Sequence, residues 1–157
     1  MSEVRAYVPR GTVEYRRAVP SDIGAIVDLG IEALKANGYE RLVISPSRVT
    51  DLARNCVSGA GNIAMVAEKD GEVVAAVCGI VHPMMCYERS QLSIVQFFTR
   101  VPGCGVPLMR AVLAWARSRP IIKSIVFTLE TRADPRIGML LKRLGLQNEL
   151  PVYMSVQ

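Results

Sequence analysis

The chain predicts an α/β fold, a mixed, mostly antiparallel central sheet flanked by helices, and three observations carry that expectation. Alternating, β-branched runs and amphipathic helical runs follow one another in the order β-α-α-β-β-β-α-β-α-β. A tight Asp70–Gly71 turn joins two strand-like runs, which forces an antiparallel pair. A strand–helix–strand unit around Gly103 permits a parallel one. With 157 residues, half of them apolar, the chain can bury a sizeable core as one domain, 1–157. Residues 1–11 read as a loose N-terminal extension.

Each element has its own signature. "TVEYRRA" (Thr12–Ala18) alternates like a strand. Ile23, Ile26, Val27, Gly30, Ile31 and Leu34 then recur at helical spacing, with Ser21 as expected N-cap and Asn37–Gly38 as stop. Ser45 and Pro46 open a second helix whose stripe is Val49, Leu52, Ala53, Cys56 and Val57. "NIAMVAEKDGEVVAAVCGIV" is a hairpin and "QLSIVQFF" a further strand. A helix over Val106–Arg117 follows, and "IIKSIVFTLE" reads as a buried strand because its β-branched residues suit a pleat better than a helix. Asp134 and Pro135 open a short helix with Ile137, Leu140, Leu141 and Leu144 on one face; Gly145 stops it, and "ELPVYMSV" closes as a strand.

Composition narrows the function classes. No apolar run approaches the ~20 residues of a membrane span, and "MSEVRAYVPRG" lacks a secretory core, so a cytoplasmic protein is expected. Cys56, Cys78, Cys86 and Cys104 show no CxxC or Cys/His ligand spacing, which favours free thiols and no metal site. The formal charge of +5 suits a polyanionic partner without naming one. No helix-turn-helix, paired aromatic RNA motif or zinc-finger spacing is present, so a nucleic-acid partner is not expected. Arg117, Arg119 and Lys123 read as a solvated face able to steer anions, and Trp115 as core.

The chemistry concentrates in "RVPGCGVPLM", Arg100–Met109. A helix N-terminus offers unpaired N–H groups and partial positive charge, glycines let the backbone approach a ligand, and arginine adds a forked contact to phosphate oxygens. These are the parts of a phosphate cradle. No Lys-Ser/Thr pair follows the glycines, as a P-loop would need, and Leu108 stands where a dinucleotide fingerprint has its third glycine. Pro102 and Pro107 have no N–H and cannot donate.

The spacing Arg100-x-x-Gly103-x-Gly105, after the fourth strand and at the mouth of the third helix, resembles the motif of the GCN5-related N-acetyltransferase family. "LLKRLGL" (Leu140–Leu146) is similar to that family's "LYEKLGF". The resemblance spans roughly residues 15–156. It implies an acyl-CoA N-acyltransferase fold, with acetyl-CoA as acyl donor and a primary amine as acceptor, on a small molecule or a protein. It places Val95 and Phe97 against the pantetheine arm and Asp134 near the cofactor. Arg100 and the amides of Val101, Gly103, Cys104, Gly105 and Val106 would surround the diphosphate. A homodimer is a common arrangement in such a family.

In many members a tyrosine protonates the departing thiolate; here that position is Leu141, which does no proton chemistry. Tyr153 or a water is the expected stand-in, Glu130 the first candidate base and His82 the second. Each has an ordinary structural alternative: Asp134 as a helix cap, Glu130 as a solvated carboxylate, His82 as a loop residue, Cys104 as a small filler. The departure at Leu141 keeps a second function open, a binding or interaction protein of this fold without turnover.

Overall fold

The computed structural model describes residues 11–37, 42–128 and 134–147. Along the chain lie β1 (Val13–Arg17), a single 3-10 turn (Pro20–Asp22), α1 (Ile23–Asn37), α2 (Pro46–Ser58), β2 (Ile63–Lys69) and β3 (Glu72–Pro83). Then come β4 (Ser90–Thr99), α3 (Gly105–Arg117), β5 (Ile122–Phe127) and α4 (Pro135–Arg143). The expected closing strand lies outside the described residues.

The five strands pair in chain order, β1-β2-β3-β4-β5. All neighbours are antiparallel except β4 and β5, which are parallel. Asp70 and Gly71 both adopt positive φ, 51° and 82°, the backbone that a two-residue hairpin turn requires. Strand alternation divides the core in two. One face packs Ile63, Ala67, Val77 and Leu92 beneath Leu108, Met109, Val112 and Leu113 of α3 and Leu141 of α4. The other packs Ala64, Val66, Ala76 and Cys78 beneath Ile26 and Leu29 of α1 and Ala53 and Cys56 of α2. Helices on both faces were expected, and the apolar stripes of α1, α2 and α3 explain them.

Two caps differ from the sequence reading. Ser21 lies inside the 3-10 turn, and the carboxylate of Asp22 accepts from the Val19 N–H at 2.8 Å. Asp22 reaches this place because Arg16 pairs with it at 2.7 Å and with Glu68 at 2.6 Å, a mostly buried triad tying β1, β2 and the entry to α1. Ser45 precedes Pro46 at the α2 start but makes no side-chain cap; its hydroxyl meets that of Ser47 at 3.1 Å. The four cysteines are free thiols, with Cys56 and Cys78 side by side in the α1/α2 core.

Candidate functional site

The β4–β5 ladder runs from Ser90↔Ile122 to Ile94↔Phe127 and stops there. Beyond it, β4 continues to Thr99 paired only with β3 among the described residues. Past the last residue of β5, this C-terminal stretch of β4 lies on the side on which open α/β sheets receive ligands. Val95 sits at the start of this stretch. Cys78 pairs with Gln96 and Gly79 with Ile94, so Val95 is the extra residue of a bulge. A bulge takes backbone groups out of the ladder, which frees them to meet a ligand. The Phe97 and Phe127 rings meet edge to face at 5.8 Å between centroids at the same place.

The glycine loop joins this end of β4 to α3. Gly103 has φ +87°, a turn that only glycine makes without strain. Gly105 is needed for a different reason: a Cβ there would stand 2.7 Å from Phe97 Cζ. The second glycine lets α3 start directly on the aromatic ring. Cys104 occupies the N-cap position of α3 but provides no side-chain cap. It is buried beneath the loop, 2 % exposed, as a small filler would be.

The expected donors separate into two groups. The Val101 N–H donates to Thr99 Oγ1 at 3.2 Å and the Cys104 N–H to the Val101 carbonyl at 3.4 Å, so both are used within the loop. Gly103, Gly105 and Val106 keep their N–H groups without an acceptor among the described residues, because the first turn of a helix has none to offer. An anion placed there would meet three backbone donors and the positive end of the helix. The donor set thus fits a diphosphate, with fewer amides than the sequence suggested.

Arg100 is engaged elsewhere. Its Nε lies 3.1 and 3.2 Å from the Glu32 carboxylate oxygens, its Nη2 closer still to Oε1, and its Nη1 3.6 Å from Glu72. The guanidinium holds the Glu32 carboxyl below the usual glutamate range. A phosphate reaching Arg100 must therefore displace a carboxylate. Glu32 carries no sequence signal, since it stands 68 positions away on α1. The α1 helix is itself set tightly against β4: Gln96 Nε2 donates to the Ile26 carbonyl at 2.9 Å, and a Cβ on Gly30 would stand 3.0 Å from Gln96 Oε1.

His82, at the end of β3, belongs to a polar strip on the α1/α2 face. Its Nε2 lies 2.9 Å from Ser93 Oγ. Gln91 Nε2 donates to the same oxygen at 3.4 Å, and Ser124 Oγ donates to Gln91 Oε1 at 3.2 Å. Polar Gln91 and Ser93 alternate with buried Leu92 and Ile94, a period-2 signal visible in the sequence. Asp134 caps α4, accepting from the Arg136 N–H at 2.9 Å and pairing with its guanidinium at 2.7 Å. That contact lowers its carboxyl below the usual aspartate range. Leu141 is 6 % exposed and forms part of the α3/α4 core. Glu130 and Tyr153 lie outside the described residues. No group of three or more metal-binding side chains occurs among the described residues. Among them, too, no helix is long and apolar enough to cross a membrane.

Solved structures share this architecture. A predicted acetyltransferase of Clostridium acetobutylicum with acetyl-CoA matches with TM-score 0.71 at 18% identity, over 93% of this chain and 96% of that one. An aminoglycoside acetyltransferase, HMB0005, from an uncultured soil metagenomic sample matches with TM-score 0.66 at 18% identity, over 93% and 99%. The ribosomal-protein-alanine N-acetyltransferase of Brucella melitensis biovar Abortus 2308 matches with TM-score 0.65 at 15% identity, over 93% and 99%. No protein-family model and no curated protein sequence matches the chain. The fold is that of acetyltransferases, as the motif at Arg100–Gly105 implied.

Proposed function

We propose that the protein is an acetyl-CoA-dependent N-acyltransferase acting on a primary amine. The observation that carries this reading is the stretch of β4 beyond Ile94, with the Val95 bulge, leading into the uncapped N-terminus of α3. The chemistry of the donor set and the acetyl-CoA held by a structural neighbour support the same ligand. In this reading the amides of Gly103, Gly105 and Val106 hold the diphosphate, and the β4 backbone at Val95 and Phe97 runs beside the pantetheine arm. Arg100 joins them once phosphate replaces Glu32. Val101 and Cys104 shape the loop, and Asp134 orients α4 at its rim.

The reaction is attack of the neutral amine on the thioester carbonyl. A C–N bond forms, the C–S bond breaks, and the amine proton must leave. In this reading a backbone N–H at the Val95 bulge polarises the carbonyl oxygen. Glu130 is the first candidate base and His82, whose Nε2 meets Ser93 Oγ, the second; Tyr153 or water returns a proton to the thiolate. Positioned proton transfer of this kind contributes typically 10²–10⁴-fold. Cytoplasmic location and a homodimer belong to the same reading.

Thiol release from acetyl-CoA across a broad amine panel tests it. Turnover with at least one amine is expected, and His82→Ala is expected to lower it by about 10²-fold or more with acetyl-CoA binding retained. One observation favours a second reading, a coenzyme-binding protein without turnover: Leu141 fills core where an acid would stand. Binding of acetyl-CoA with no thiol release from any amine would select it.

A further inference from the structure

The C-terminal end of α3 carries a feature that acyl transfer does not use. Arg17 on β1 and Arg119 both place their guanidinium carbons over Trp115, at 5.8 and 4.4 Å from the ring centroid. Arg17 also donates to the Asn62 carbonyl at 2.9 Å, and Arg117 to the Leu144 carbonyl at 2.8 Å, which brings the last turns of α3 and α4 together. The β3–β4 loop joins the same surface, because Ser90 N–H donates to the Ile121 carbonyl at 2.9 Å.

The segments so connected are 17–19, 60–63, 84–90, 115–123 and 140–146. They contain seven cations and one carboxylate, Glu88. Arg17, Arg117, Arg119 and Lys123 surround the end of α3, Lys142 and Arg143 close α4, and Arg89 comes from the loop. These segments net +6. Two helix C-termini offset only about one unit of it. Among the described residues, none of Arg17, Arg89, Arg117, Arg119 and Lys123 has a carboxylate within ion-pair distance.

We infer that this surface binds a single-stranded polynucleotide, at the opposite end of α3 from the glycine loop. Arg17, Arg89, Arg117, Arg119 and Lys123, held together with no carboxylate in ion-pair distance among the described residues, repel one another, and a chain of phosphates relieves that repulsion while releasing its own counterions. The aromatic content favours nucleic acid over an acidic peptide. Tyr87 is 70% exposed and Met85 fully exposed on the loop that carries Arg89. Flat and apolar side chains between cations give bases a stacking surface between phosphate contacts. The cations are dispersed from position 17 to 143, so no linear motif announces them.

The test uses the whole protein with labelled 20-nucleotide oligo(U) and oligo(dT), read by anisotropy and by emission of the one tryptophan, Trp115. Binding is expected at about 50 mM salt, with a log–log salt slope near −3.5 for five neutralised phosphates on a single strand. R119E combined with K123E should weaken it by at least tenfold and flatten the slope, with the acetyl-CoA melting shift retained. K123E alone, remote from the indole stack, should weaken it several-fold. Absence of binding by both oligonucleotides, binding indifferent to both variants, or equal displacement by poly-glutamate would each overturn the proposal.

Discussion

The two ends of α3 treat charge in opposite ways. At its N-terminus the one arginine of the motif faces Glu32 and Glu72, with Asp28 adding to the same field, and the free positive potential comes from backbone amides. At its C-terminus arginines and a lysine gather with almost no carboxylates. Adjacent residues of β1 repeat the contrast. Arg16 points to the α1/α2 face and is neutralised by Asp22 and Glu68, whereas Arg17 points to the α3 face and lies on Trp115. An amide cradle suits a small, precisely seated phosphate group. A cluster of uncompensated side chains suits an extended anion that can take many positions.

The largest effect should come from the neutralised side. Asp22→Ala leaves the Arg16 guanidinium paired with Glu68 alone in a mostly buried site, and loss of such hydrogen bonds to a charged group costs about 1.5–3 kcal/mol. Arg17→Gln should cost no more than about 1 kcal/mol, the scale of an exposed cation–π contact. Chemical denaturation of the two variants would measure the contrast, and equal losses would break it.

Gly105→Val comes next. Its added atoms collide with Phe97, which Phe127 holds from the other side, so overpacking of about 1–3 kcal/mol is expected. The same change should abolish the acetyl-CoA melting shift. Gly103→Ala leaves space untouched but strains a φ of +87°, and should reduce that shift less.

Glu32→Gln sharpens the account of Arg100. It frees the fork, so coenzyme affinity measured by calorimetry should rise several-fold; a fall would mean that Arg100 serves only to hold α1. The smallest effect is on pH. Glu32 has a lowered carboxyl pKa, so its clamp on Arg100 is complete above the ordinary glutamate value of about 4.3. It is lost as pH falls through the lowered value. Melting points of the wild type and Glu32→Gln should differ at neutral pH and converge only as pH falls below the ordinary glutamate range.

The fold was legible wherever a local period determined it. The stripes of α2 and α3, the Asp70–Gly71 hairpin and the Asp134 and Gly145 ends of α4 all stand as the residues suggested. Placement of the Arg100-x-x-Gly103-x-Gly105 loop between β4 and α3 was legible for the same reason. Contacts across long sequence separations were not. Nothing near Arg100 announces Glu32, and nothing near Ser21 announces that Arg16 and Glu68 will draw Asp22 into the capping role. The basic surface is the extreme case, since β1, α3, α4 and one loop each supply a part.

The most direct measurement is a thermal melt of the purified protein with and without acetyl-CoA, using ATP as the control anion. At 100 times its dissociation constant a ligand stabilises the native state by about 2.7 kcal/mol. At roughly 2–4 °C per kcal/mol for a chain of this size, the midpoint should rise by about 5–10 °C with acetyl-CoA and little with ATP. An unchanged midpoint with acetyl-CoA at millimolar concentration would contradict the account, leaving Gly103 and Gly105 as a tight turn onto Phe97 and nothing more.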